Sequence, residues 1–446
     1  MREPGGDTVD VTQIACADAA GEPSRRLSVA ANRLIGSEIL KIAADIRELT
    51  RAGADICNLT VGDFSPQQFA IPARLRDGIS AALAEGETNY PPSNGILPLR
   101  AALVRFYERE LGLRYPIDSV LVASGARPLI YGTFRAVVDP GDTVVYPVPS
   151  WNNNHYATML DARGVALLCD QAQLFLPSAA QIIDHLPAAR LLCLCSPQNP
   201  TGTVISRDAL SGVCEAVLAE NRAREASGQK PVYLLYDHIY WQLCYGEARH
   251  YTPVGLAPEM ARYTVFIDGI SKAFAATGLR VGWALGPVDV IARMTKALGH
   301  VGAWAPRPEQ LATTALLDDD DAISSYHREF AAALQARLEL LHRGVSALRA
   351  EGLPVDSIPP MGAIYLTVRI APFGAKTPEG RVLTTNEDIR QYLLQAAGLG
   401  VVPFQAFGYP GDTGLFRLSV GAVGLDEIER MLPRLGVALR ALTPAA

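Results

Sequence analysis

A lysine and an arginine lie eight positions apart in residues 268–283, a stretch that is otherwise small and apolar after its first residue. Lys272 follows an apolar segment of strand-like composition, residues 263–267, and we expect it in the loop just past a buried strand. Desolvation there lowers the pKa of an amine and makes it nucleophilic, while the Arg280 guanidinium suits a phosphate. An imine-forming amine beside a phosphate-binding cation predicts a pyridoxal-phosphate site. The alternative is a surface lysine in a glycine-rich loop.

Small and flat side chains follow two other predicted strands. Ser124, Gly125 and Ala126 form a small-residue turn before a helix, and the free N–H groups at a helix N-terminus favour a phosphate. Trp151 follows the next strand and precedes three asparagines, where its flat ring could stack on a pyridine. Both features also have structural interpretations, as an ordinary tight turn and as a core tryptophan.

Polar residues follow two more predicted strands. Asn199 begins the segment Asn-Pro-Thr-Gly after the strand at residues 191–195, and its amide could donate to the phenolic oxygen of the cofactor. Asp237 directly follows the strand at residues 232–236. A carboxylate at a buried strand end is costly unless it is paired, and the protonated pyridine nitrogen is a suitable partner. Tyr240 could reach the same oxygen as Asn199, although each of these residues taken singly could be a loop or cap residue.

The elements that must position these residues alternate between strand and helix from residue 119 onward. Short, nearly continuous apolar runs are typical of strands covered by helices on both faces, and ligands bind where loops leave the carboxyl ends of such strands. We therefore predict an α/β fold with a mostly parallel, mixed seven-stranded sheet covered by helices on both faces. Its predicted strands are residues 120–123, 142–146, 166–169, 191–195, 232–236, 264–267 and 281–285.

Both ends of the chain contribute to a second, smaller region. A helical pattern in residues 28–51 precedes a short strand at residues 56–61, after which Gly62 would let the backbone approach a ligand closely. The predicted domains are a flexible leader (1–30), an N-terminal segment that joins the small domain (31–65), a large cofactor-binding domain (66–315) and a small C-terminal domain (316–446).

The C-terminal part has a mixed pattern of helices and strands, which indicates an α+β domain. Four aspartates, residues 318–321, precede an amphipathic helix at residues 322–351, and we interpret them as a helix N-terminus rather than a cation site. Strands are predicted at residues 363–368 and 415–420, and a closing helix at residues 425–442.

Composition limits the functional classes. The chain has 446 residues, 49% of them apolar, and a net charge of −6, which excludes a disordered chain and argues against a nucleic-acid partner. No apolar run approaches the roughly 18 residues that span a bilayer, and residues 1–30 lack the apolar core of a secretory signal. The seven cysteines are dispersed and never spaced C-x-x-C, and the histidines lack metal-ligand spacing. We therefore expect reduced thiols in a cytoplasmic enzyme without a metal.

The segment 269–282, Gly-Ile-Ser-Lys-Ala-Phe-Ala-Ala-Thr-Gly-Leu-Arg-Val-Gly, matches a known cofactor-attachment signature at every constrained position. With Asn-Pro-Thr-Gly at residues 199–202 it makes the chain resemble the fold-type I pyridoxal-phosphate enzymes of the class I/II aminotransferase family, the aspartate aminotransferase group. The resemblance extends from about Ile35 to the last helix. It implies pyridoxal 5′-phosphate as cofactor, and a homodimer whose active sites lie at the subunit interface.

The resemblance also implies residue roles. Lys272 would form the Schiff base, with Asp237 and Tyr240 as its catalytic partners, and Arg417 would bind the substrate α-carboxylate through bidentate hydrogen bonds. Tyr90 would reach the phosphate bound by the partner subunit. The other implied cofactor contacts are Ser124, Gly125, Ala126, Trp151, Asn199, Ser271 and Arg280, and the other implied substrate contacts are Gly62, Asn199 and Trp151.

Three departures from the family pattern concern the site. Gly269 replaces a frequent serine, so one phosphate hydroxyl would be absent. His238 replaces a frequent acidic residue and could be structural, tune Asp237 or contact an unusual substrate. The loop at residues 302–308 replaces a serine- and asparagine-rich segment; its Arg307 could bind an acidic substrate side chain or lie in solvent or an interface.

The leading prediction is transamination between an α-amino acid and a 2-oxo acid, with Lys272 as general base and acid. The same groups could serve β- or γ-elimination, replacement, or carbon–carbon bond formation on an amino-acid substrate such as an S-adenosylmethionine-like one. A third reading, the effector-binding module of a regulator, would need a DNA-binding domain, for which we expect no room in the short leader.

Overall fold

The computed structural model describes residues 27–34, 36 and 38–444, and it divides into two compact units, Met1–Gly36 and Ser37–Ala446. In the first unit, helix α1 (Val29–Arg33) is capped by Ser28, whose hydroxyl accepts the Ala31 N–H at 3.1 Å. Most of the predicted leader (1–30), including Cys16, lies outside the described residues.

The prediction of one helix over residues 28–51 was wrong. The second unit begins with a separate helix, α2 (Glu38–Arg51), and Leu34 after α1 has extended backbone. Gly36 lies in this break, and glycine is among the poorest helix formers.

A seven-stranded sheet carries most of the residues singled out by the sequence. Its strand order is β2-β8-β7-β6-β5-β3-β4, and all neighbours are parallel except β8, which is antiparallel to both β2 and β7. The predicted mixed α/β fold is confirmed. The strands in chain order are β1 (Cys57–Asn58), β2 (Val120–Ala123), β3 (Thr143–Val148), β4 (Arg163–Leu168), β5 (Ala189–Cys195), β6 (Tyr233–Asp237), β7 (Thr264–Gly269), β8 (Gly282–Leu285), β9 (Val355–Ser357), β10 (Tyr365–Ile370), β11 (Ala375–Lys376), β12 (Leu399–Gly400), β13 (Val402–Pro403), β14 (Leu415–Ser419) and β15 (Thr443–Pro444).

Helices cover both faces of this sheet. Because side chains alternate along a strand, Leu235 and Ile267 enter one apolar cluster, whereas Tyr236 and Phe266 enter the cluster on the opposite face. Within the described part of the chain, no helix is long and apolar enough to cross a membrane. The remaining helices are α3 (Ala73–Ala84), α4 (Leu97–Leu111), α5 (Ala126–Val137), α6 (Asn153–Met159), α7 (Ala179–Ile183), α8 (Arg207–Ala226), α9 (Pro253–Leu256), α10 (Ile270–Ala273), α11 (Val288–Val301), α12 (Arg307–Leu317), α13 (Asp320–Ala350), α14 (Asn386–Tyr392) and α15 (Leu425–Arg440).

A second, antiparallel sheet of order β13-β14-β10-β9 packs with α13 and α15. Helix α13 begins two residues earlier than predicted, so Asp320 and Asp321 lie in its first turn. Asp319 is the N-cap, its carboxylate accepting the Ala322 N–H at 3.0 Å. Strand β1 pairs with β12, so the segment after α2 lies against the C-terminal part of the chain. The division into domains at residues 65 and 315 stays a prediction.

Candidate active site

A cavity of about 650 Å³ opens where strands β5 and β6 end. Tyr365 and Arg417, from strands β10 and β14 of the second sheet, complete its wall. Most predicted site residues therefore come together although they are distant in sequence. Those that line the cavity are Gly62, Ala126, Trp151, Asn199, Asp237, Tyr240, Ser271, Lys272, Arg280 and Arg417.

Lys272 lies on the one-turn helix α10, not in the predicted loop. Its Nζ donates to the carbonyl of Gly62 at 2.5 Å, and burial lowers the pKa of this amine to about 8. A larger fraction of the amine is thus neutral, and nucleophilic, at neutral pH than for a solvated lysine.

The N-cap of α10 is Gly269, the first departure from the family pattern. A Cβ added there would lie 2.7 Å from the Val281 carbonyl oxygen and 2.9 Å from the Gly282 Cα. Because strand β8 approaches this closely, a serine has no space at this position. Glycine here is a consequence of backbone packing.

Asp237 is the last residue of β6, and one of its carboxylate oxygens accepts the Ile239 N–H at 3.2 Å. Burial raises the pKa of this carboxyl to about 6. The cost of burying a carboxylate falls when a cation lies beside it, and Asp237 lines the cavity where such a group would bind.

Asn199 and Tyr240 are held by contacts to the second sheet. The Tyr240 hydroxyl lies 2.6 Å from that of Tyr365, and the Asn199 amide oxygen accepts from Arg417 at 3.2 Å. Gly202 ends the Asn-Pro-Thr-Gly segment with φ +72°, and a Cβ there would overlap the Tyr365 carbonyl oxygen. Only glycine lets this loop lie against β10.

The turn before α5 forms a cradle with Arg280. The Arg280 guanidinium donates to the carbonyls of Thr277 at 2.6 Å and Ser124 at 3.2 Å. Gly125 has φ +93°, and no side chain of the described residues caps the helix that begins at Ala126. The first N–H groups of α5 and one guanidinium therefore surround a space suited to an anion.

Substitution of Gly125 by alanine is expected to weaken cofactor binding by at least about tenfold, because the added Cβ would overlap the Arg280 guanidinium and displace charge-assisted hydrogen bonds to a phosphate. The measurement is the dissociation constant of pyridoxal phosphate, by titration of the apo-protein. The control is Gly112→Ala, which shares the positive φ of +67° but whose Cβ would meet nothing within 4 Å. Equal weakening of pyridoxal-phosphate binding in both variants would contradict the prediction that the turn at residues 124–126 binds the cofactor phosphate.

Arg417 is buried to 1% exposure between two aromatic rings. Its guanidinium lies 4.7 Å from the ring centre of Tyr365 and 4.8 Å from that of Phe407. It donates to the Thr60 carbonyl at 2.6 Å, while its Nε has no hydrogen-bond partner among the described residues. A buried donor without a partner is rare in folded proteins, so this guanidinium is ready for an anionic ligand.

Strand β1 in the N-terminal segment is shorter than predicted. The sequence predicted a strand over residues 56–61, whereas β1 spans Cys57–Asn58. Beyond β1, three successive backbone carbonyls accept hydrogen bonds from side chains. The carbonyl of Thr60 accepts from Arg417, that of Val61 from Ser419 and that of Gly62 from Lys272. The backbone here leaves regular pairing because it holds the site.

Five candidate contacts are not part of the cavity lining, and two of them, Ser124 and Gly125, belong to the turn before α5. Tyr90 is 80% exposed and packs against Trp304 with 5.1 Å between ring centres, outside the cavity. Arg307 pairs with Glu87, so its charge is already matched within the chain. His238 is fully buried and bonds to Tyr107, which removes the possibility that it contacts substrate.

Among the cavity residues that sequence reasoning missed are Tyr365 and Arg127. Tyr365 occurs in an ordinary apolar strand, and nothing in the local sequence separates it from a core residue. Arg127 lies in the first turn of α5, directly after the predicted phosphate turn, and its guanidinium lies 5.4 Å from the Trp151 ring centre. A cation directly after a predicted phosphate turn could have been predicted from the sequence to bind an anionic ligand.

A family model described as "Aminotransferase class I and II" matches residues 54–435. The chain belongs to this family. Aspartate aminotransferase of Rhizobium meliloti (strain 1021) is 31% identical over 425 residues, covering 94% of this chain and 97% of the relative. A probable aspartate/prephenate aminotransferase of Thermus aquaticus is 31% identical over 425 residues, covering 93% and 100%. The solved structure of a Rhizobium meliloti aspartate aminotransferase has a TM-score of 0.84 at 29% identity, covering 94% and 99%.

The chain is therefore a pyridoxal-phosphate-dependent aminotransferase. Elimination, replacement and carbon–carbon bond formation, the alternatives left open by the sequence, are not favoured by these relatives. Class I and II aminotransferases imply pyridoxal phosphate, and the cavity fits it. An amine of lowered pKa, a buried carboxyl and a glycine cradle that a Cβ would fill lie around one space.

Proposed function

We propose that Lys272 is the amine that carries pyridoxal phosphate, and that the chain moves an amino group between an α-amino acid and a 2-oxo acid. The observation that supports this most is the position of Lys272 Nζ in one cavity with the Arg280 cradle and the Arg417 guanidinium. When bound, the cofactor supplies a ring that withdraws electrons from the substrate Cα.

The residues that would hold the cofactor divide by the part they contact. Asp237 would pair with the protonated ring nitrogen, a charge pairing that offsets the cost of burying its carboxylate. Asn199 and Tyr240 would donate to the phenolic oxygen, and Trp151 would lie on the ring face. The phosphate would be bound by Ser124, Gly125, Ala126, Ser271 and Arg280.

The proton transfer would belong to Lys272. Arg417 binds the substrate α-carboxylate and so orients the bond from Cα to hydrogen. The Lys272 amine would take the proton from the substrate Cα as general base and return a proton as general acid. An amine whose pKa lies near neutrality serves well in both directions, because it is neither fully protonated nor a poor acid.

A dicarboxylic amino acid, aspartate in the first instance, is the proposed donor. The relatives named above are aspartate and aspartate/prephenate aminotransferases. Arg127 lines the cavity beside Trp151, and no carboxylate of the described chain forms an ion pair with it. This guanidinium is placed to bind a second substrate carboxylate. Gly62 would lie beside the α-carboxylate, because a Cβ added to it would lie 3.7 Å from Nη1 of Arg417.

The site would be completed in a homodimer. Tyr90 is a large aromatic residue with four fifths of its surface exposed, and we propose that it reaches the phosphate bound by a second copy. The six described cysteines are free, which supports a reducing compartment, the cytoplasm.

The first half of the reaction, with the amino donor alone, tests the proposal. Holoprotein mixed with L-aspartate, without an oxo acid, should yield one equivalent of oxaloacetate per site and lose its visible absorbance until 2-oxoglutarate is added. Continued product release without an acceptor would instead indicate elimination and overturn transamination. If aspartate is inert while another α-amino acid gives one equivalent of its oxo acid, the donor is wrong and the reaction type stands.

A further inference from the structure

Three buried polar side chains and a half-buried histidine lie behind the cavity, on the opposite face of the seven-stranded sheet. Asp237 at the end of β6 lines the cavity. The next residue, His238, and Asp268 on β7 point the other way, where they contact Tyr107 of α4. We call Tyr107, His238, His250 and Asp268 the buried chain; none of them lines the cavity.

Each member of the buried chain bonds to the next. His250 Nε2 lies 3.3 Å from His238 Nδ1, and His238 Nε2 lies 3.0 Å from the Tyr107 hydroxyl. The Tyr107 hydroxyl donates to Asp268 Oδ2 at 3.1 Å. Two indoles support the chain, with Trp283 donating to the Tyr107 hydroxyl at 3.1 Å and Trp241 to Asp268 Oδ2 at 2.9 Å.

With Asp268 ionised, one arrangement of protons satisfies all these bonds. An indole N–H only donates, so the Tyr107 oxygen accepts from Trp283 and gives its own hydrogen to the carboxylate of Asp268. His238 then donates from Nε2 to Tyr107 and accepts from His250 at Nδ1. Both histidines are neutral in this arrangement, and burial lowers the pKa of both. The Asp268 carboxylate is then the single charge within the buried chain.

Among the described residues, no cation forms an ion pair with the Asp268 carboxylate. Its neighbours on every packed element are hydrogen-bond donors: the Gly269 N–H at 2.7 Å on its own strand, Trp241 after β6 and Tyr107 on α4. Burial, with a smaller contribution from repulsion by Asp237, raises the pKa of this carboxyl to about 7 against the lowering effect of these donors. Such repulsion is mutual, so a negative Asp268 also favours a proton on the cavity side.

We propose that Asp268 is a positioning residue whose charge, held by Tyr107, Trp241 and the Gly269 amide, raises the proton affinity of the cavity groups through the sheet. The same carboxylate fixes the backbone three residues before Lys272 by binding the Gly269 N–H. His238 and His250 keep Tyr107 oriented as a donor to it. The proposal rests on the proposed function, because it concerns the protons that Asp237 and Lys272 hold.

The test is a pH titration of the visible absorbance of the holoprotein, which reports the proton at the lysine–cofactor nitrogen. Asp268→Asn keeps the size of the side chain and removes its charge. Its midpoint is expected to fall by about one pH unit, since a nearby anion that stabilised the proton is gone. An unchanged or raised midpoint would overturn the proposal, even if the variant were less stable.

A second variant covers the case in which Asp268→Asn fails to bind cofactor. Tyr107→Phe removes one donor from Asp268, so this carboxyl holds its own proton to higher pH, and the midpoint should fall by a smaller amount. Tyr392→Phe is the matched control, because it removes a buried hydroxyl that donates to the Ala438 carbonyl at 2.6 Å, remote from the chain. A shift in Tyr392→Phe equal to that in Tyr107→Phe, or none in either, contradicts the proposal. If no variant and no native protein shows the band, it is the proposed role of Lys272 that fails.

Discussion

A Lys272→Ala variant is expected to lose turnover by more than about 10⁴-fold, the upper range for removal of a general acid–base group. The loss should be this large because Lys272 would act twice, as the amine that carries the cofactor and as the base that moves the Cα proton. Steady-state transamination and the visible spectrum of the purified protein measure the two roles separately. The variant should also lack the visible band of the bound cofactor.

The matched control is Lys296→Ala, on the exposed side of α11. This lysine lines no part of the cavity, so both its spectrum and its turnover should equal those of the native protein. Full visible absorbance and full activity in Lys272→Ala would show that Lys272 does not carry the cofactor. Loss of both in Lys296→Ala would show that any lysine loss damages the fold.

An Arg417→Lys variant is expected to lose about 100-fold in kcat/KM for its amino-acid donor, or about 2.7 kcal/mol. A single ammonium cannot reproduce two parallel hydrogen bonds to a carboxylate. It also leaves the flat space between the rings of Tyr365 and Phe407 badly filled. Kinetics with the amino acid and with the corresponding amine, which has no carboxylate, separate these effects.

The native protein should prefer the amino acid over the amine strongly, and Arg417→Lys should remove most of that preference. Arg369→Lys is the control, since Arg369 lies on the neighbouring strand β10 with its side chain exposed. Its kinetics should not change. An Arg417→Lys variant that kept its preference for the amino acid would show that another group binds the α-carboxylate.

The ends of the sheet strands could be predicted because buried strands leave uninterrupted apolar runs. Asp237 and Asn199 follow such runs, and their chemistry stands out against the apolar residues before them. Lys272 was predicted at the right strand end, although in a loop rather than on α10. A single helical turn has too few residues to leave a periodic pattern.

Contacts between the two sheets could not be predicted from local sequence. Tyr365 approaches Tyr240 because β10 packs across the Asn-Pro-Thr-Gly loop, which depends on the glycine at 202 and on the tertiary fold. The buried bonds of His238 depend likewise on Tyr107, which is 131 residues away. Sequence alone marked His238 as unusual without indicating which face of the sheet it would occupy.

We expect the site around residues 60–62 to form late in folding, because its hydrogen bonds join residues that are far apart in sequence. Arg417 binds the Thr60 carbonyl across 357 residues of chain, and Ser419 binds Val61 across 358. Contacts of such long range form late in folding, since the entropy of closing the intervening loop must be overcome first. During synthesis the proposed phosphate cradle, residues 124–126 and 280, leaves the ribosome well before Arg417 does. The nascent chain should therefore be able to bind phosphate before it can bind a substrate. Substrate binding should follow only when Arg417 and Ser419 pair with residues 60 and 61.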